Sequence, residues 1–120
     1  MKIFFTVVLI LNLVIEAFAA FVLIGSPETM FPEGQVAAVM WARNYGFAAL
    51  AVGTTVFWIW PHREDFNVVG TVLGILLTFQ IAISVALGIS GAMMGGMILH
   101  SIMAVLCIFL YTQRSKWCTK

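Results

Sequence analysis

Charge is what this chain has least of. Lys and Arg number 6 and Asp and Glu 5, so that charged side chains make up 9% of 120 residues. Ordinary soluble domains carry about 25%; there is too little charge here to cover a water-soluble globule. The formal net charge of +1 supplies no basic patch of the kind nucleic-acid binding needs, so no nucleic acid is expected as a partner. Cysteine is also scarce, at 2 residues, with no zinc signature and no CxxC pair. Cys107 falls in an apolar run and Cys118 in the C-terminal tail, where thiols stay reduced, and a structural disulfide is not expected. The 3 prolines all lie in connections. No Ser-His-Asp set, phosphate loop or glycosidase carboxylate pair can be assembled, and whether the chain is an enzyme stays open at this point.

What is present is hydrophobic: 62% of residues, gathered into four apolar runs at about 3–24, 36–60, 68–89 and 92–111. Runs of about 18 or more apolar residues read as membrane-spanning helices. Almost nothing remains outside them, so the chain is expected to be one transmembrane domain. The first run has Lys2 and an Ala17-Phe18-Ala19 stretch in the style of a signal peptide. Glu16 interrupts its apolar core and favours a retained helix. Short connections make consecutive helices antiparallel neighbours. The expected fold is an all-α four-helix transmembrane bundle, up-down-up-down.

Lys2, Arg63, Arg114, Lys116 and Lys120 fall before the first run, between the second and third, and after the fourth. The first loop carries Glu28 and Glu33 instead. The positive-inside rule then places both termini in the cytoplasm, with the cell's inner membrane as the expected location. Trp58, Trp60, Tyr111 and Trp117 form an inner aromatic belt, and Trp41 lies near the outer interface. The first loop, from Ser26 to Gly34, is expected to be a plain linker, and His62 a solvated turn residue.

Each run places an ionisable or amide side chain at nearly one depth: Glu16, Arg43, Gln80 and His100. At about 1.5 Å rise per residue, these lie roughly 12, 11, 14 and 12 Å from the outer ends of their runs. Charge in hydrocarbon costs several kcal/mol unless paired or hydrated, so such residues mark a candidate site. Flanking small residues support an inward orientation. Gly46, Leu50 and Gly53 share a face with Arg43, Ser84 and Gly88 follow Gln80, and Gly96 and Ala104 flank His100. Glu16 and Arg43 are expected to pair, since a guanidinium fork binds a carboxylate through two parallel hydrogen bonds. Asn12, Asn44, Tyr45 and Gln80 are expected to satisfy the remaining donors and acceptors. His100 is the member that ordinarily titrates near neutral pH. The expectation is a polar pocket in the outer half of the bundle that binds a ligand or handles a proton. The competing reading is a purely structural network, worth about 0.6–2 kcal/mol per interhelical contact.

Met93, Met94, Met97 and Met103 surround His100 in sequence. Thioether and imidazole groups suit Cu(I), but the spacing drifts around a helix. Methionine is also an adaptable core filler, and no metal is expected.

The run Ala42-Arg43-Asn44-Tyr45-Gly46-Phe47-Ala48-Ala49-Leu50-Ala51-Val52-Gly53 resembles the second-helix pattern of small DoxX-like membrane proteins. Length, four spans and the first-span acid fit the same group. Members serve as subunits of quinone-linked oxidoreductases and as assembly factors. The resemblance implies an accessory role, a small lipidic or quinone-like ligand, and a membrane-complex partner or a second copy of the chain. Only Arg43, Gly46 and Gly53 carry over by position, and no cofactor is identified. Small multidrug resistance transporters have similar length and a key first-span Glu, which Glu16 resembles. The alternative reading is therefore a proton-coupled small-molecule transporter using Glu16. A cation at Arg43 beside it would oppose that role, by repelling cationic substrates and holding the acid ionised.

Overall fold

Every regular element in the computed structural model, which describes residues 1–30, 35–91 and 93–119, is helical. The helices are α1 (Lys2–Gly25), α2 (Val36–Gly53), α3 (Thr55–Ile59), α4 (Phe66–Ser90) and α5 (Met94–Gln113), with short 3₁₀ turns at Pro27–Met30, Trp60–His62 and Arg114–Lys116. Part of the first loop (31–34), Ala92 and Lys120 lie outside the described residues. Among the described residues, three helical stretches are long and apolar enough to cross a membrane: Lys2–Gly25, Phe66–Ser90 and Met94–Lys116.

The expected second span, 36–60, is not one helix. α2 ends at Gly53, and α3 follows after Thr54. The Thr54 hydroxyl donates to the Ala51 carbonyl at 2.8 Å, and Phe57 N donates to Thr54 O at 3.0 Å. A threonine that bonds back to its own helix offers the backbone an alternative to the regular ladder, and bends helices for that reason. α2 also carries the polar run Arg43-Asn44-Tyr45 in mid-helix, which makes it the least apolar of the long helices.

The other ends have local causes. Asp65 caps α4: its Oδ1 accepts from Asn67 N at 2.9 Å and Val68 N at 3.0 Å. Such a cap contributes about 0.5–2 kcal/mol. Gly91 closes α4 with φ +64, a left-handed conformation that side chains disfavour.

The chain forms two compact units. The central unit is Leu9–Phe57; the terminal unit joins Met1–Val8 to Trp58–Lys120. In the central unit, α1 and α2 run antiparallel. Asn12 Nδ2 donates to Val52 O at 3.4 Å, while Gly46 sits against Leu23 and Ile24. A Cβ at Gly46 would lie 2.8 Å from Ile24 Cγ1 and 3.3 Å from the Ile24 backbone nitrogen, so only glycine allows this approach.

In the terminal unit, α4 and α5 pack antiparallel. Ser101 Oγ donates to Met97 O at 2.8 Å, and the single proton of the Ser84 hydroxyl is shared between Ser101 Oγ at 2.6 Å and Met97 O at 3.3 Å. Phe4 packs edge-on against Phe109, with centroids 6.0 Å apart, and Phe5 lies 5.7 Å from the Trp117 ring. Lys2 Nζ donates to Glu64 Oε1. The tail returns to the turn before α4 through a parallel bridge between Asp65 and Thr119. Burial pushes the Cys118 thiol above its ordinary range, which leaves it a protonated, poor nucleophile.

Buried positions follow helical spacing. On α1 they are Phe5, Val8, Leu9, Asn12, Glu16, Ala20 and Leu23; on α4, Val69, Leu73, Leu76 and Gln80. The outer faces are apolar as well, with Ile3 80%, Phe21 78% and Ile89 84% exposed. Helices that are hydrophobic all round belong in a lipid phase.

Candidate functional site

Among the described residues, four polar side chains are buried: Asn12, Glu16, Gln80 and His100. Each lies on the same face as the apolar core residues of its helix, which is where 3–4 spacing puts it. A fully buried carboxylate in so apolar a chain is the least expected of them, since burying charge is expensive.

In the central unit, Asn12 and Glu16 are one turn apart on α1. α2 meets them with the smallest side chains it has: its buried positions are Ala42, Gly46, Ala49 and Gly53. A Cβ at Gly53 would lie 3.1 Å from Glu16 Cβ and 3.7 Å from Leu13 O, so the α2 backbone is pressed directly on the Glu16 turn. Tyr45 is half-buried. Its hydroxyl oxygen is buried without a hydrogen-bond partner among the described residues and lies within electrostatic reach of Glu16. A carboxyl, a carboxamide and a phenol are thus gathered between α1 and α2.

Arg43 is not among them. Its Nη2 donates to Glu28 Oε1 at 3.1 Å, and the side chains of the pair are 47% and 62% exposed. The expected Glu16–Arg43 pair is replaced by Glu28–Arg43. The reason is rotation about the helix. Arg43 follows the buried Ala42, so it stands about 100° around α2 from the packed face. There its long side chain reaches the 3₁₀ turn after α1, which keeps the charge out of the interior. Gly46 and Gly53 do lie on the packed face; Leu50 and Asn44 are exposed.

In the terminal unit, Gln80 and His100 come together. Gln80 Oε1 lies 2.5 Å from His100 Nδ1. An amide oxygen only accepts, so Nδ1 carries the proton and a neutral ring has its lone pair on Nε2. Phe79 meets the imidazole edge-on, with centroids 6.4 Å apart. Ser101, absent from the sequence reading, meets Ser84 across the α4–α5 contact; the available signal was Ser84, four residues and one turn beyond Gln80.

Among the described residues, no group of three His, Cys, Asp or Glu side chains could hold a metal ion. Met93 and Met94 are exposed and Met103 is buried. Met97 Sδ is only 3.3 Å from where a Gly88 Cβ would stand, which makes it a packing residue. The chain matches no family model, no curated protein and no solved structure.

Proposed function

We propose that this chain is an integral membrane protein that binds a small amphipathic ligand at the buried polar groups of its helices, with Glu16 as the central residue. The observation that carries this reading is the complete burial of the Glu16 carboxylate beside the small-residue face of α2. Intramembrane ionisable groups mark ligand or proton sites by default. Asn12 and the Tyr45 hydroxyl supply hydrogen bonds on the same side, and His100 with Gln80 forms a separate polar pair within the terminal unit. The four-span, up-down arrangement with cytoplasmic termini in the inner membrane belongs to this proposal and is supported by the Lys and Arg distribution. A DoxX-like accessory role in a larger membrane complex, with a lipidic or quinone-like ligand, is supported by the resemblance of residues 42–53. Arg43 is left out of the site because it pairs with Glu28.

The test is mass spectrometry of apolar small molecules, isoprenoid quinones included, that co-purify with the protein. The wild type retains a defined compound that Glu16→Gln loses while its helix content is unchanged. Absence of any compound enriched over a control membrane protein overturns the reading.

A second reading, proton-coupled transport through Glu16, gains from one observation. The guanidinium that would have opposed it is engaged elsewhere. It predicts pH-driven substrate flux in proteoliposomes that collapses in Glu16→Gln; binding without flux argues against it.

A further inference from the structure

Among the described residues, cationic side chains (Lys2, Arg63, Arg114, Lys116) outnumber carboxylates (Glu64, Asp65) at one end of the terminal unit. The turn before α4 and the chain after α5 are stitched together there, with Thr119 N donating to Glu64 O at 2.6 Å and Phe66 N to Thr119 O at 3.1 Å. Both carboxylates at this end are engaged. Glu64 accepts from Lys2, and Asp65 accepts from the first backbone N–H groups of α4.

Among the described residues, the remaining cations form no ion pair, although Arg63 lies within electrostatic reach of Glu64. Arg63 Nη1 donates to the Trp60 carbonyl at 2.6 Å, and its guanidinium lies 4.7 Å from the Trp60 ring centroid. Arg114 stands 4.3 Å from the Phe66 ring centroid and 3.9 Å from that of Tyr111, with Nη1 on the Tyr111 carbonyl at 2.6 Å. Carbonyls and ring faces hold these guanidinium groups in place, but they carry no full negative charge. Lys116 is exposed and forms no ion pair among the described residues. Two further donors, Arg114 Nε and Trp117 Nε1, are buried without a hydrogen-bond partner among the described residues. Neither group can accept.

We propose that this end binds the phosphate of an anionic phospholipid headgroup, with Arg63, Arg114 and Lys116 as its cations. A phosphate supplies both things the end lacks, negative charge and acceptor oxygens. A lipid is the source that fits, because these cations sit where the apolar helices α4 and α5 end, among exposed Trp60 and Tyr111 (45% and 40%). Such aromatic side chains settle at headgroup depth. Each basic residue near an anionic membrane surface strengthens binding on the order of five-fold.

The full chain in nanodiscs of equal phosphatidylglycerol and phosphatidylcholine, released into a native mass spectrometer, provides the test. The wild type retains phosphatidylglycerol preferentially. Arg63→Gln with Lys116→Gln lowers that preference about 25-fold, and Lys116→Gln alone, at an exposed position, lowers it about five-fold. Arg43→Gln removes a cation of the central unit and leaves it unchanged. Equal retention of the two lipids by the wild type, or a preference that survives the double substitution, overturns the proposal. Displacement of the retained lipid by inorganic phosphate, with phosphate itself bound, overturns the lipid assignment in favour of a free-anion site.

Discussion

Glycine 46 shows how a single hydrogen atom sets the distance between two helices. A methyl group there would meet Ile24 at 2.8 Å and Leu23 at 3.1 Å, and part of what it meets is backbone. Gly46→Ala should lower stability by about 1–3 kcal/mol, the usual range for overpacking, as read by thermal unfolding in detergent. Gly74→Ala is the matched control: nothing lies within 4 Å of its added Cβ. It should be neutral or stabilising by about 0.5–1 kcal/mol. Equal effects at the two sites would mean that α1 and α2 do not approach as described. At His100, Gln80→Leu removes the acceptor on Nδ1 and should cost about 1–3 kcal/mol. The same residues explain what the sequence could tell. Gln80 and His100 were grouped by depth, and depth is a matter of counting residues along an axis. Arg43 was misplaced because its error lies in azimuth: Ala42 and Arg43 differ by one position in sequence, and that is enough to separate the packed face from its rim.

Among the elements, α1, α4 and α5 were legible because long unbroken apolar runs leave one outcome in a lipid phase. The interruption of the second run was not, since Thr54 is unremarkable in composition and acts through a hydroxyl bond to Ala51. The junction of α1 with the turn before α4 makes a pH prediction. The hydrogen bond from Lys2, and then its charge, hold the Glu64 carboxyl below its ordinary value of 4.5. A carboxyl lowered in the folded state contributes stability that is present above 4.5 and lost as pH falls through the lowered folded value. Lys2→Met should therefore be less stable than wild type at neutral pH, with the difference vanishing in acid and shrinking in high salt. A difference that persists unchanged in acid would contradict this pairing.

For the whole molecule, the account separates two kinds of charge. Exposed charges pair with one another, in Lys2–Glu64 and Arg43–Glu28. Among the described residues one carboxyl group, that of Glu16, is completely buried, and it is the residue on which function is proposed to depend. The direct test is to quantify the co-purifying small molecule per mole of protein in wild type, Glu16→Gln and Arg43→Ala. The account predicts that Arg43→Ala retains it at the wild-type ratio while Glu16→Gln loses it. Retention by Glu16→Gln, with loss in Arg43→Ala, would contradict it.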